Sequence, residues 1–271
     1  MRHHGLIRPD TPNVIDWLAL YRDFLWIAHT RRDRLRFARA IMALAWLGRN
    51  GARRYDVTFG ALGRRFRCAL SDASELEVLR NIFVEEEYRL MEDVPVETVV
   101  DLGSHVGVSV LWFHGMYPNA EIVAVEPHPG TFRRLQRNVG HLDRVRLVNA
   151  AVADSNGRRT LFSSDESWAA SLRRQPELTN AEEVTCRRLD DLLEELGIRS
   201  VDVLKLDIEG SEGEVLSCFA GLGRVGTLIC EYHRELNGID AFEFIRTLHD
   251  FDPVVARGDS ERHLTVVARR R

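Results

Sequence analysis

The sequence is nearly without lysine and has few cysteines. Lys205 is the single lysine among 271 residues, against 36 arginines. The bias most simply reflects arginine-favouring codon usage. Lys205 survives in that background either by chance or because its position needs a compact ammonium group under tight packing, which arginine could not supply. The four cysteines form no C-x-x-C pair, so the sequence suggests no zinc site and favours reduced thiols. We therefore expect a cytoplasmic protein.

A long apolar run is also missing. The apolar residues of 14–28 are interrupted by Asp16, Arg22 and Asp23, so the sequence predicts no membrane span. Charge is distributed unevenly, because residues 1–70 hold fourteen arginines and only five acids. No ladder of aromatic residues accompanies these arginines, which argues against a nucleic-acid partner. The pattern favours docking on an acidic surface of the same chain or of a second copy, and hence a homodimer through the N-terminal helices.

The dinucleotide fingerprint G-x-G-x-x-G is absent, but another glycine turn is present. The β-branched run Thr98–Leu102 leads into Asp101-Leu-Gly-Ser-His-Val-Gly107, with D-x-G-x-x-x-G spacing. Gly103 and Gly107 let the backbone turn sharply and approach a ligand, and the following helix offers free N–H groups. The next apolar run ends at Glu126, where a carboxylate can accept bonds from both hydroxyls of a ribose. This pattern predicts a nucleoside-binding corner.

The acid at this turn narrows the choice of ligand. A carboxylate at Asp101 would repel a pyrophosphate but would suit a ligand with an amino group and a sulfonium. The turn therefore favours S-adenosylmethionine over a dinucleotide. An ordinary strand-to-helix turn and an oxidoreductase with a nicotinamide cofactor are the alternatives.

The pattern of apolar residues predicts two domains. Residues 1–92 form a helical and β-hairpin extension, and residues 93–271 alternate strand-like and helix-like segments, which is typical of a parallel sheet covered by helices. In the extension we predict helices at 13–29, 35–45 and 71–87 and hairpin strands at 55–59 and 65–70. In the second domain we predict strands at 98–102, 122–126, 145–149, 158–162, 201–206, 227–230, 253–256 and 264–268, helices at 107–116, 129–139 and 189–196, and a polar lid-like loop at 163–180.

Three motifs resemble the FkbM family of S-adenosylmethionine-dependent methyltransferases. Asp101-Leu-Gly-Ser-His-Val-Gly107 resembles the family's D-x-G-A-N-x-G, and Glu126-Pro-His-Pro129 resembles its E-P-x-P. Lys205-Leu-Asp-Ile-Glu-Gly-Ser-Glu212 resembles its K-x-D-x-E-G-x-E, which is the specific motif of the three. The resemblance covers about residues 70–235. Ser104 and His105 depart from the family's alanine and asparagine.

The resemblance implies an α/β class I methyltransferase (Rossmann-like) fold, with a mostly parallel seven-stranded sheet, an antiparallel last strand and helices on both faces. It also implies methyl transfer to a hydroxyl group of a small molecule, a sugar or another secondary metabolite. Asp101 is expected to reach the ammonium of the cofactor indirectly and Glu126 to bind its ribose, with Asn149 and Ala150 near the adenine. The expected cofactor-binding residues are Asp101, Gly103, Ser104, His105, Gly107, Glu126, Pro127, Asn149, Ala150 and Asp207.

A hydroxyl acceptor needs a base, and acids and a histidine follow two of the predicted strands. We predict His233 as the base, because its ordinary titration lies close to neutral pH, with Asp207 or Glu209 orienting the acceptor. In an alternative, Asp207, Glu209 or Glu231 holds Mg²⁺, which we rank below orienting roles, so that no metal site is predicted. Further alternatives are a loop fixed by Lys205 and Glu212 without chemistry and a cofactor-binding partner protein without catalysis. The residues predicted to contact the acceptor are Tyr88, Trp168 and Glu231.

Overall fold

A computed structural model of the chain describes the structure over most of its length. The described residues are 14–46, 54–90, 94–164, 170–176, 178–233, 244, 248–259 and 263–271. The chain divides into two compact units, Met1–Val84 and Glu85–Arg271. The predicted domain boundary at 92/93 stays a prediction. Among the described helices, none combines the length and the apolar character that crossing a bilayer requires.

The N-terminal unit consists of helices and one hairpin, as predicted. Its core is aromatic, since Phe24 stacks on Phe37 with ring centroids 4.9 Å apart and Phe59 meets the edge of Phe83 at 4.8 Å. Trp26 lies exposed on the first helix, and dimerisation through these helices stays a prediction. The elements are α1 (Val14–Ile27), α2 (Arg31–Trp46), β1 (Tyr55–Ala61), β2 (Arg64–Leu70) and α3 (Ala73–Phe83).

Helix α3 is shorter than predicted at its carboxyl end. Its first turn is capped by Asp72, whose carboxylate accepts from the backbone N–H of Ser74. The predicted helix ran to about residue 87, but the observed one ends at Phe83. Glu86 has a φ of +53°, a left-handed conformation that cannot continue a right-handed helix.

The second unit contains a seven-stranded sheet in the order β12-β13-β11-β10-β3-β4-β5. Neighbours among β11, β10, β3, β4 and β5 pair in parallel, whereas β13 pairs antiparallel with both β11 and β12. The mostly parallel sheet with an antiparallel last strand is therefore confirmed. Its strands are β3 (Thr98–Leu102), β4 (Glu121–Val125), β5 (Val145–Val148), β10 (Val201–Leu206), β11 (Val225–His233), β12 (Phe251–Asp259) and β13 (His263–Arg270).

The helices of this unit follow the strands in the expected alternation. Gly107 precedes α4, and Pro129 occupies the first turn of α5. Proline lacks a backbone N–H, but the N–H groups of a first turn have no partner within the helix, so no helical hydrogen bond is lost. The described helices are α4 (Val108–Met116), α5 (Pro129–Val139), α6 (Leu189–Glu195) and α7 (Glu212–Cys218), followed by a 3₁₀ turn (Ala220–Arg224).

The parallel strands end in register at one edge of the sheet. The last paired residues of β5, β4, β3 and β10 lie opposite one another, and Leu206 of β10 lies opposite Cys230 of β11. The residues that come next along each strand therefore form one row across the sheet, with neighbours about 4.8 Å apart. We call this set the edge row; its members are Asn149, Glu126, Gly103, Asp207 and Glu231.

A second, four-stranded sheet was not predicted. One of its strands, β9, was missed, because Glu182 and Glu183 on its exposed part hide the alternation that continues through buried Val184 and Cys186. The segment predicted as a polar loop at 163–180 contributes the short strand β8. The strands are β6 (Ala151–Val152), β7 (Gly157–Ser163), β8 (Ala170–Ser171) and β9 (Asn180–Arg187), in the order β6-β9-β7-β8.

Candidate active site

The glycine turn after β3 approaches the protein's own backbone. Gly103 has a φ of +80°, and a Cβ added there would lie 1.8 Å from the carbonyl oxygen of Asp207. Gly107 has a φ of +94°, and a Cβ there would lie 2.9 Å from Leu135 Cδ1 on α5. The sequence analysis attributed both glycines to the approach of a ligand. The contacts give a further reason, since any other residue at 103 would collide with the end of β10.

Glu126 is fixed at the end of β4 by two backbone donors. Its Oε2 accepts from the N–H of His105 at 3.0 Å, and its Oε1 accepts from the N–H of His128 at 2.9 Å. His105 has a φ of +48°, a left-handed conformation that is uncommon for a residue with a side chain. Each carboxylate oxygen has a second lone pair, so both can still accept a bond from a ligand. The geometry fits the two hydroxyls of a ribose.

The charge of Glu126 depends on pH in the neutral range. Burial disfavours the ionised form and raises the pKa of Glu126 to about 7, although the N–H groups of His128 and His105 favour ionisation. The carboxylate is 5% exposed. Glu126 is therefore fully ionised, and able to accept hydrogen bonds from two hydroxyl groups, only above about pH 7.

The remaining residues of the predicted cofactor set brace the loops around Glu126. The side-chain amide of Asn149 donates to the carbonyl oxygens of Glu126 at 2.8 Å and Pro127 at 3.0 Å. The Ser104 hydroxyl donates to the carbonyl oxygen of Asp101 at 2.9 Å, and Ala150 is buried. Asn149 thus joins the ends of β4 and β5 at the edge row.

The single lysine lies buried beneath the glycine turn. Lys205 Nζ donates to the carbonyl oxygen of Gly103 at 2.8 Å and to Asp207 Oδ2 at 3.3 Å. It also lies 3.3 Å from Asp101 Oδ1, as an ion pair without hydrogen-bond alignment. Burial alone would lower the pKa of Lys205, but the charges of Asp101 and Asp207 outweigh it and raise that pKa. A compact ammonium joins β3 to β10 here, which matches the requirement inferred from its survival among arginines.

Asp101 is compensated within the protein. Besides the ion pair to Lys205, its Oδ2 accepts from the Ser109 hydroxyl at 2.6 Å, and its side chain is fully buried. The indirect role toward the ammonium of the cofactor that the resemblance implied for Asp101 stays a prediction. Asp207 is the edge-row carboxylate beside Gly103, and a quarter of its side chain is exposed.

A cluster of acids surrounds His233 at the ends of β10 and β11. We call Asp207, Glu209, Glu212, Glu231 and His233 the acidic edge. The ring atom Nδ1 of His233 lies 3.0 Å from Glu212 Oε1, and Nε2 lies 3.4 Å from Glu209 Oε2 and 4.0 Å from Glu231 Oε1. Glu212 is fully buried and also accepts from the N–H groups of Ile208 and Gly210.

The acids change the protonation expected for His233. Burial alone would lower its pKa, but the hydrogen bond to Glu212 and the charges of Glu209, Glu212 and Asp207 raise the pKa of His233 to about 10. The ring is then protonated at neutral pH and has no lone pair with which to accept a proton. Titration near neutral pH was the reason for predicting His233 as the base, and the raised pKa of His233 removes that reason. Its catalytic role stays a prediction.

Two neighbouring carboxyls are correspondingly harder to ionise. Burial, together with the charges of Asp207 and Glu212, raises the pKa of Glu209 to about 7. The charge of Asp207, followed by burial, raises the pKa of Glu231 to about 8. Glu209 also has a φ of +52°, an uncommon conformation for a residue with a side chain.

The residues predicted to contact the methyl acceptor do not share one environment. Glu231 lies in the edge row. Tyr88 is buried, stacks on Phe113 with centroids 5.9 Å apart, and lies beneath Lys205 Nζ at 5.9 Å from the ring centroid. These contacts fit packing better than contact with an acceptor. Trp168 lies outside the described residues.

One residue of the site was missed by sequence reasoning. The Ser171 hydroxyl donates to the carbonyl oxygen of Glu209 at 2.6 Å, which joins the second sheet to the acidic edge. No motif marks this serine. Lys205 and Glu212, in contrast, make the loop-fixing contacts that the structural alternative attributed to them.

The sheet order and the antiparallel β13 define a class I methyltransferase fold. The family model described as "Methyltransferase FkbM domain" matches residues 101–252, more than half of the chain. The protein belongs to the FkbM methyltransferase family.

Named relatives and a solved structure are similar to parts of the chain. The "2-O-methyltransferase NoeI" of Sinorhizobium fredii is 32% identical over an alignment of 139 residues, and the match covers 45% of this chain and 57% of NoeI. The chain thus spans little more than half of that relative. The "31-O-demethyl-FK506 methyltransferase FkbM" of Streptomyces tacrolimicus is 29% identical over 198 residues, 60% of this chain and 76% of that protein. Aeropyrum pernix fibrillarin, solved "in complex with natively bound S-adenosyl-L-methionine", aligns with 82% of this chain and 84% of that chain at a TM-score of 0.41 and 14% identity.

Proposed function

We propose that the protein is an S-adenosylmethionine-dependent O-methyltransferase that acts on a hydroxyl group of a small molecule, a sugar or another secondary metabolite. The edge row carries this proposal, because it joins a ribose-binding carboxylate to the acidic edge along one side of the sheet. Ligands of open parallel sheets bind at this carboxyl side. The names of two relatives, the 2-O-methyltransferase NoeI and the 31-O-demethyl-FK506 methyltransferase FkbM, support the choice of a hydroxyl acceptor.

The corner around Glu126 fits the nucleoside part of the cofactor. Glu126 would accept from both ribose hydroxyls, while His105 and His128 keep its two oxygens in place. The Gly103 turn would lie along the methionine part, with Asp101 acting indirectly through its charge. When bound, S-adenosylmethionine supplies an electrophilic methyl group on a sulfonium.

The acidic edge fits the acceptor. Methyl transfer is in line, so the acceptor oxygen must be held about 3 Å from the methyl carbon. Asp207 and Glu209 would accept hydrogen bonds from acceptor hydroxyls and orient them, and Glu231 lies next in the same row. A carboxylate of this cluster would take up the hydroxyl proton as the new bond forms.

The first test is calorimetric titration of the whole chain with S-adenosylmethionine, S-adenosylhomocysteine and NAD. We expect both adenosyl ligands to bind and NAD to fail. Glu126→Ala should weaken their binding by roughly tenfold to a hundredfold, since hydrogen bonds to a charged group are lost. Glu121→Ala is the matched control, because Glu121 begins the same strand at the opposite end.

The second step is an acceptor screen by mass spectrometry for products that carry one added methyl group. Transfer to hydroxylated sugars or polyketides supports the proposal. Binding of NAD alone would overturn the cofactor assignment. Binding of S-adenosylmethionine with no transfer to any hydroxylated acceptor would favour the cofactor-binding partner protein.

A further inference from the structure

The acidic edge contains a set of side chains that can coordinate a cation. One ligand atom each from Asp207, Glu209 and His233 lies within 4.8 Å of the other two. Ligand atoms about 2.1 Å from a cation lie roughly 3 Å apart when adjacent and about 4 Å apart when opposite. The separation of 3.4 Å between Glu209 Oε2 and His233 Nε2 matches an adjacent pair.

The orientation of the imidazole distinguishes this set from a simple group of acids. Glu212 is buried and held by two backbone N–H groups, and it takes the Nδ1 side of His233 at 3.0 Å. Nε2 is thereby directed at Glu209 and Glu231. A histidine that binds a metal through one nitrogen usually donates its other N–H to a carboxylate in this way.

The charges of the region also favour a cation. Contacts within the described residues join five carboxylates to Lys205 and His233, and Lys205 already pairs with two of them. Acids outnumber bases in this described part of the site. The side chains of Asp207, Glu209 and His233 are each partly exposed, so an ion can enter and keep open coordination positions.

We propose that Asp207, Glu209 and His233 bind a first-row divalent cation of the Mn²⁺ type, with Glu212 as the residue that positions the imidazole. Two carboxylates and one imidazole suit Mn²⁺ and its first-row neighbours better than Mg²⁺ or Ca²⁺, which prefer oxygen ligands alone. Ion binding replaces the proton on Nε2. The following consequence rests on the proposed function. An acceptor with two adjacent oxygens would occupy the open coordination positions of the cation, and the cation would make the acceptor's hydroxyl easier to deprotonate.

The test is titration of the whole chain with Mn²⁺, followed by electron paramagnetic resonance and without any acceptor. We expect one saturable site per chain. His233→Ala and Glu212→Gln should each weaken binding by about tenfold or more. His249→Ala is the matched control, because His249 forms an exposed pair with Asp250 at 3.6 Å and should leave Mn²⁺ binding unchanged.

Each outcome decides the proposal. Absence of saturable binding, or binding that His233→Ala leaves unaltered, overturns it. Binding of S-adenosylhomocysteine, measured on the same samples, reports whether the His233 and Glu212 variants are folded, since the contacts of Glu126 involve neither residue. If Asp207→Asn were to lose both binding activities, Glu209→Gln provides the second variant. If the wild-type chain binds Mn²⁺ but does not bind S-adenosylhomocysteine, the metal site stands and the proposed function is overturned.

Discussion

The corner around Glu126 and the acidic edge are built from different groups, although they share one side of the sheet. In the corner, backbone N–H groups satisfy a single carboxylate. In the acidic edge, charged side chains satisfy one another, and His233 lies among Glu209, Glu212 and Glu231. Backbone donors cannot change their charge, whereas the side chains of the acidic edge can exchange protons or a cation.

Under the proposed function, this difference separates the residues that bind the cofactor from those that act on the acceptor. The corner keeps its geometry because the chain path through Gly103 is fixed by the carbonyl of Asp207, and a fixed geometry suits recognition of a constant cofactor. The acidic edge has several protonation states, since the pKa values of Glu209 and Glu231 lie at about 7 and about 8. A proton acceptor needs such adjustable groups.

Gly103→Ala is expected to have the largest effect on the corner. The added Cβ would lie 1.8 Å from the Asp207 carbonyl oxygen, so the corner and β10 cannot both keep their positions. We expect a loss of about 4 kcal/mol in the free energy of unfolding, or failure to fold, measured by urea denaturation. Gly197→Ala is the control: its φ is +72° and nothing lies within 4 Å of the added Cβ, so it should cost only about 1–2 kcal/mol. Equal losses in both variants would contradict the close approach.

The pH dependence of cofactor binding tests the role of charge in the corner. Because the pKa of Glu126 is raised to about 7, lowering the pH below that value protonates the carboxylate and removes its capacity to accept two hydroxyls. Affinity for S-adenosylhomocysteine should fall by up to about tenfold per pH unit below 7, and level off above it. Calorimetry over this range is the measurement. Glu126→Gln should bind weakly with no such step, and a step that persists in this variant would assign the titration to another group.

Without a bound ligand, the free energy of unfolding should also depend on pH through Glu126. The folded pKa of Glu126 lies above its ordinary value of 4.5, so the folded state binds more protons than the unfolded state between about 4.5 and about 7. The contribution of Glu126 to stability is therefore highest below this window and decreases as the pH rises through it. Comparing wild type with Glu126→Gln by urea denaturation isolates that contribution.

The smallest expected effect is that of removing the Ser171 hydroxyl, which tests whether the second sheet supports the acidic edge. Ser171→Ala removes the hydrogen bond to the Glu209 carbonyl and should lower the free energy of unfolding by about 1 kcal/mol. Binding of S-adenosylhomocysteine should be unchanged, because the corner does not contact Ser171. Ser217→Ala, which removes a similar but exposed bond to the Glu214 carbonyl, should change stability by less than about 0.5 kcal/mol. Equal stability of the two serine variants would show that the second sheet does not support Glu209.

The corner could be predicted from sequence because its signals are local. The run from Asp101 to Gly107 contains both the turn and the acid, and Glu126 follows directly after the next apolar run. The sheet register then places Glu126 beside Gly103, as the ends of parallel strands require. The strands of the seven-stranded sheet were recognisable for the same reason, since each contains a short cluster of apolar residues along the chain.

The protonation of the acidic edge could not be predicted, because it depends on partners that only the fold brings together. Glu212 and His233 are 21 positions apart, and their contact follows from the pairing of β10 with β11. The ordinary pKa of histidine was the only guide available from sequence. Strand β9 was hidden in a comparable way, because its charged exposed residues conceal the two buried ones.

The burial of Lys205 has a consequence for chemical labelling. It is the single lysine of the 271 residues, is 2% exposed and has its ammonium held by Asp101 and Asp207. Acylating reagents attack an unprotonated, accessible amine, so Lys205 of the folded chain should resist them. Unfolding would expose one new reactive amine, at the junction of β3 and β10. A single amide at Lys205 would therefore report opening of the sheet at its centre.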